Sequence, residues 1–175
     1  MKSDLQYPIG KFSYSGPYTD AERSALIAQI EQAPAEIRRA FEQLPPGGLD
    51  TPYRPGGWTA RQVIHHVPES HMHCYLRFKF AMTETEPAIK AYDEAVWAVQ
   101  PDVATTLPQI SLALLDALHQ RWVAFLRTLK PEDFNRAFRH PEIGLVTLDR
   151  ALGLYAWHGR HHAAHLRSIA DSGRA

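Results

Sequence analysis

The chain has 175 residues, with 19 Lys and Arg against 19 Asp and Glu, so its formal net charge is zero. That length suits one domain, 1–175, and zero charge excludes the strongly basic surface of a nucleic-acid binder. A hydrophobic share of 45% with 22% charged residues excludes an acidic disordered chain, and the single cysteine, Cys74, excludes a disulfide framework or a Cys-based zinc finger. Ten histidines stand out. If a metal is bound, histidine and carboxylate must hold it.

Residues 1–18 are rich in Tyr, Pro and Gly and read as an irregular lead-in. They contain no apolar run of signal-peptide length, and the chain has no stretch of about 18 apolar residues, so a soluble cytoplasmic protein away from membranes is expected. Thr19-Asp20-Ala21-Glu22 is a capping box that starts a first helix near Asp20. Pro34 interrupts its apolar spacing and predicts either a kink or two shorter helices. Pro45-Pro46-Gly47-Gly48 ends it. A second capping box, Thr59-Ala60-Arg61-Gln62, starts a second helix that runs to about Thr83 with Pro68 inside, where a local kink is expected. Residues 84–108 form a long connection with one short helix over Asp93–Val99. It is long enough to bring the next helix back parallel to the second. The third long helix is read over Gln109–Leu129 and the fourth from after Thr147 to about Asp171. Between them, Pro141-Glu142-Ile143-Gly144 suits the turn of a short hairpin. Four amphipathic helices with little strand signal predict an all-α four-helix bundle with long crossover connections, a fold that places metal sites on facing helices.

The fourth helix carries histidines at the center of its apolar stripe. His158 and His162 are one turn apart on one face, the spacing with which two imidazoles chelate one cation. His165 lies close to the same line, and His161 is turned further away. The second helix carries His65, His66, His71 and His73. His65 and His66 point about 100° apart, so only one of them can face a site inside the bundle. Spacing favors His66 slightly, because Val63, His66, Ser70, His73 and Arg77 share a line, while Ile64, Val67, Cys74 and Phe78 share another. His65 then reads as facing solvent or supporting a ligand. Three imidazoles leave positions open for water, as catalytic rather than structural zinc sites do, and bound water is acidified into a nucleophile.

Long segments resemble the DinB/YfiT-like superfamily, and within it the YfiT-type metal-dependent hydrolases. They are YPIG at 7–10, LDTPYRPGGWTARQVIHH at 49–66, SHMHCYLRFK at 70–79, AYDEAVW at 91–97, SLALLDALHQRW at 111–122 and ALGLYAWHGRHHAAH at 151–165. The resemblance implies a four-helix bundle whose metal is held by one histidine of the second helix and two of the fourth. Carried onto this chain, these are His66, His158 and His162. It also implies a homodimer and a divalent metal, zinc in the cell with nickel acquired on purification. The hydrolase activity of such proteins rests on analogy. Some relatives are S-transferases that use bacillithiol, mycothiol or glutathione. Pro68, two residues after His66, departs from the expected pattern and could tilt that ligand.

Other residues have two readings each. Asp93 in the long connection is a candidate general base, or else the N-cap of the short helix. Trp58 either lines the site mouth or, as the preferred reading, staples the start of the second helix. His119 reads as a satisfied core or interface histidine, His140 as loop, and Arg54 and Arg77 as solvated or as anchors for an anionic group. Cys74 lacks a neighbor to activate it, so any thiol must come from outside. The expected function is a metal-dependent hydrolase of a small-molecule substrate. A metal-dependent S-transferase using a low-molecular-weight thiol is the alternative, and a non-catalytic metal-binding stress module is the third.

Overall fold

The two threonine capping boxes form as expected. Thr19 and Thr59 each accept from the backbone N–H three residues on, and Glu22 and Gln62 return the bond to the caps. They open α1 (Asp20–Glu42) and α2 (Ala60–Thr83) in a computed structural model that describes residues 4–172. Both helices continue unbroken through their prolines. α1 is one helix through Pro34, not two, and α2 carries Pro68 within its buried side.

The long connection holds two short helices, α3 (Glu94–Trp97) and α4 (Pro101–Thr105), where the sequence suggested one. α5 spans Pro108–Leu126, with the proline in its first turn, where a missing N–H costs no helix hydrogen bond. It stops three residues short of the predicted Leu129. A hairpin of β1 (Ala137–His140) and β2 (Gly144–Thr147) follows, antiparallel, with His140 opposite Gly144. Gly144 adopts φ 73°, the left-handed turn conformation that glycine takes without steric cost. The crossover is tied to this hairpin, because Ile89 N–H donates to the Arg139 carbonyl and Arg139 N–H to that of Pro87. α6 (Leu148–Ser172) begins where Thr147 Oγ1 accepts from Arg150 N–H.

Side-chain pairs fix the directions. His65 meets Ser111 and His71 meets His119, so α2 and α5 run parallel, as the length of the connection allowed. His66 meets His158 while Ser70 meets Tyr155, so α2 and α6 are antiparallel. Arg23 bonds Asp149 and Ala33 faces Gly159, so α1 and α6 are parallel. This is a four-helix bundle with a small hairpin before its last helix. Gly159 allows α1 and α6 to approach, since a Cβ there would lie 2.8 Å from the Ala33 Cβ.

The core has two apolar halves. One gathers Phe78, Trp122, Leu126, Leu148 and Leu152, and the other Ile37, Val63, Ile64, Leu112, Leu115 and Leu166. At mid-length, between the halves, the same four helices place Pro34, His71, His119, His158 and His162. Each buried leucine or isoleucine stabilizes by about 1.5–3 kcal/mol, whereas a buried imidazole costs energy unless its nitrogens are partnered. Among the described residues no helix is long and apolar enough to cross a membrane.

Candidate metal centre

Three histidines converge in the middle layer. His66 of α2 and His158 and His162 of α6 each bring one ring nitrogen within 4.8 Å of the others. The Nε2 atoms of His66 and His158 are 3.3 Å apart, and those of His158 and His162 are 3.2 Å apart. A hydrogen bond at either contact requires a proton on one nitrogen, and His158 Nε2 cannot donate to both neighbors. The separation matches another geometry. Two nitrogens bound at 2.0–2.1 Å to a tetrahedral cation lie about 3.3 Å apart.

Protonation favors the same reading. Burial pushes His66 down to about 4. His158 and His162 are held well below the usual imidazole range, first by burial and then by neighboring histidines. All three are therefore neutral near pH 7, with lone pairs available to a cation. His162 has a supporting partner: its Nδ1 lies 3.4 Å from His165 Nδ1, and His165 Nε2 lies 3.3 Å from the Gln6 carbonyl in the lead-in. His66 Nδ1 has no partner among the described residues. A divalent cation fits this donor set, and the three histidines carried over by resemblance are the three the fold brings together.

The cluster lines a cavity of about 340 Å³. Trp58, Ser70, Arg77, Tyr92, Tyr155 and His140 share its walls. A larger hollow of about 480 Å³ lies beyond Trp157, lined by α1 and α6, and contains none of the cluster. Ser70 Oγ and Tyr155 Oη are 3.3 Å apart in the cavity wall, and burial raises the Tyr155 phenol far above its ordinary value. Burial likewise raises Tyr92, to about 12. Both phenols stay protonated as donors. Arg77 has no ion-pair partner among the described residues, and its guanidinium lies 5.9 Å from the Phe138 ring.

The chain belongs to the DinB superfamily.

The superfamily's model matches residues 29–166. A relative from Bacillus mycoides (strain KBAB4), named "Putative metal-dependent hydrolase", is 53% identical over 169 residues, covering 96% of each chain. One of the same name from Bacillus cereus (strain B4264) is 52% identical, covering 95% of this chain and 96% of the relative. Among solved structures, YfiT from Bacillus subtilis, described as "a probable metal-dependent hydrolase with an unusual four-helix bundle topology", superposes with a TM-score of 0.94. It is 45% identical and covers 98% of each chain. TT2238, a four-helix bundle protein, shares the fold at a TM-score of 0.57 and 19% identity, over 81% of this chain and 94% of its own.

Other expectations for this DinB-superfamily chain need correction. Asp93 is not brought to the cluster. Its Oδ1 accepts from Ala95 and Val96 N–H at 3.0 Å, which makes it the cap of α3, and it is exposed. The carboxylates that line the cavity are Glu94 and Glu142. Trp58 does line the site, edge-on to the His66 ring with centroids 4.7 Å apart, while also packing on an apolar half of the core. His65 does not face solvent. It is buried, with Nδ1 2.7 Å from Ser111 Oγ. His140 ends β1 and lines the cavity, where the sequence suggested loop. His161 is stacked on Trp157 at 4.3 Å, and His73 on Tyr92 at 4.3 Å. Arg54 donates to the Pro55 carbonyl and lies over Tyr53, outside the cavity lining. Cys74 is buried, and burial raises its thiol well above the ordinary value, as expected of an inert cysteine.

The sequence reading missed His71. Its signal was present: Ile64, Val67, Cys74 and Phe78 form an apolar line whose gap, between 67 and 74, is position 71.

Proposed function

We propose that the protein is a metal-dependent hydrolase of a small molecule, with His66, His158 and His162 holding one divalent cation, zinc in the cell. The convergence of three neutral imidazoles on the wall of a cavity carries the reading, with His158 Nε2 at 3.2–3.3 Å from the Nε2 atoms of His66 and His162 and all three ligand nitrogens within 4.8 Å of one another. A cation held by these three histidines would supply Lewis acidity for hydrolysis.

The chain's own groups would do the rest. Ser70 and Tyr155 offer hydroxyl donors to a substrate oxygen, and Trp58 and Tyr92 supply apolar walls. Arg77 supports a substrate with an anionic group, because its charge lacks an internal partner. Glu94 and Glu142 are the carboxylates available to take a proton, in place of Asp93. The proposal includes a homodimer, compatible with zero net charge and supported by exposed Ile110 and Leu114 on α5 and Leu107 at its N-cap. Sedimentation as a monomer would remove that part.

The test is turnover of a panel of carboxylate-bearing esters and amides by metal-loaded protein. Activity should vanish with a chelator, return with zinc, and be absent in His162→Ala. Turnover by His162→Ala equal to wild type would refute the assignment. Turnover that appears only with added bacillithiol, mycothiol or glutathione would move the reaction to S-transfer at the same site.

A further inference from the structure

Behind His158 lies a chain of contacts that reaches the far side of the bundle. His158 Nδ1 is 3.0 Å from His71 Nε2, His71 Nδ1 is 2.8 Å from His119 Nε2, and His119 Nδ1 is 2.6 Å from the Ile30 carbonyl oxygen. Both His71 and His119 are buried, at 0% and 2% exposure, and each has both ring nitrogens at hydrogen-bond distance from a protein partner.

The far end sets the direction of every proton. A helix carbonyl normally accepts from the N–H four residues on. For Ile30 that residue is Pro34, which has no N–H, so the Ile30 carbonyl is left without its helix partner. A carbonyl can only accept, so His119 carries its proton on Nδ1 and presents a lone pair at Nε2. That lone pair takes the His71 Nδ1 proton, which leaves the His71 Nε2 lone pair to take a proton from His158 Nδ1. His158 is then unprotonated at Nε2, the atom that faces His66 and His162.

We propose that Pro34, His119 and His71 form a positioning relay that fixes the tautomer and ring orientation of His158 for the cation. The inference rests on the metal reading above, yet it assigns roles to three residues outside the ligand set. His71 and His119 are positioning residues, since neither shares the Nε2 cluster. Histidine ligands commonly donate their second N–H to a fixed acceptor, and loss of such a partner costs about 10–100-fold in metal affinity. In this chain the acceptor is two imidazoles deep and ends on an oxygen freed by a proline.

Two measurements test the relay. The first is nitrogen-15 NMR of histidine-labelled, metal-free wild-type protein, which reports the protonated nitrogen of each ring without any activity. His158, His71 and His119 should all carry the proton on Nδ1, and an Nε2–H form of any of them would overturn the relay. The second is a zinc competition titration of His119→Leu and His119→Gln. The leucine gives His71 no acceptor, and affinity should fall about 10–100-fold. Glutamine offers a donor and an acceptor and should recover part of the loss. Wild-type affinity in folded His119→Leu would overturn the relay, and if that variant fails to fold the wild-type tautomers decide. If wild-type protein binds no zinc but shows the three Nδ1–H forms, the metal reading fails while the tautomer assignment stands.

Discussion

The two sides of the histidine layer use one residue type for opposite ends. In front, His66, His158 and His162 bring their Nε2 atoms together on the wall of a cavity. Behind, His71 and His119 occupy positions in the apolar stripes of α2 and α5, each ring nitrogen 2.6–3.0 Å from a partner. The back is complete in itself, whereas the front brings acceptor to acceptor and calls for a cation. Histidine count cannot separate these roles. What each nitrogen faces can.

The largest expected effect breaks the front. His162→Ala removes one of three ligands, so zinc affinity should fall by more than the roughly 10–100-fold typical of losing a supporting partner. A competition titration measures it. An unchanged affinity would mean that His162 is no ligand.

Acid should act on both sides. Burial pushes His66 and His119 down to about 4 and, with neighboring histidines, holds His71, His158 and His162 well below the ordinary imidazole value, while an unfolded imidazole titrates near 6.5. Between about pH 6.5 and 4 the unfolded chain therefore binds more protons than the folded one, and stability falls as pH falls through that window. Urea unfolding of metal-free protein should show a clearly lower midpoint at pH 5 than at pH 7. Equal midpoints would mean that these rings titrate freely.

The third effect sharpens the packing of the back. In Gly159→Ala the new Cβ would sit 2.8 Å from the Ala33 Cβ and 3.7 Å from His71 Cε1. Overpacking of this kind costs about 1–3 kcal/mol, read as a lower denaturant midpoint.

The smallest effect is confined to the cavity. Arg77→Ala should raise KM for an anionic ester by about tenfold, the equivalent of ~1.4 kcal/mol, with less change for a neutral one. Stability should stay within about 0.5 kcal/mol. Equal effects on both esters would remove the anionic group from the proposed substrate.

Much of this was legible in the sequence, for local reasons. Capping boxes fix where α1 and α2 begin, because their bonds span only three residues, and i, i+4 spacing puts His158 and His162 on one face. Four helices and a hairpin follow from spacing and turn residues. Helix spacing favors His66 over His65 only slightly, and the resemblance settles that choice. What stayed hidden is what another element supplies. Asp93 suits both a base and a cap, and only the position of the crossover shows Glu94 toward the cavity with Asp93 capping α3. Pro34 read as an interruption of α1, and its consequence lies at His119, 85 residues later in α5. His71 looked like one histidine among several until the fold placed it between His158 and His119.

X-ray absorption at the metal edge of zinc-loaded protein tests the central claim most directly. Three imidazole nitrogens at about 2.0–2.1 Å, with an oxygen neighbor completing the shell, are the expected result. A shell with fewer than three imidazoles, or with a sulfur at about 2.3 Å, would contradict the assignment of His66, His158 and His162 as the ligands.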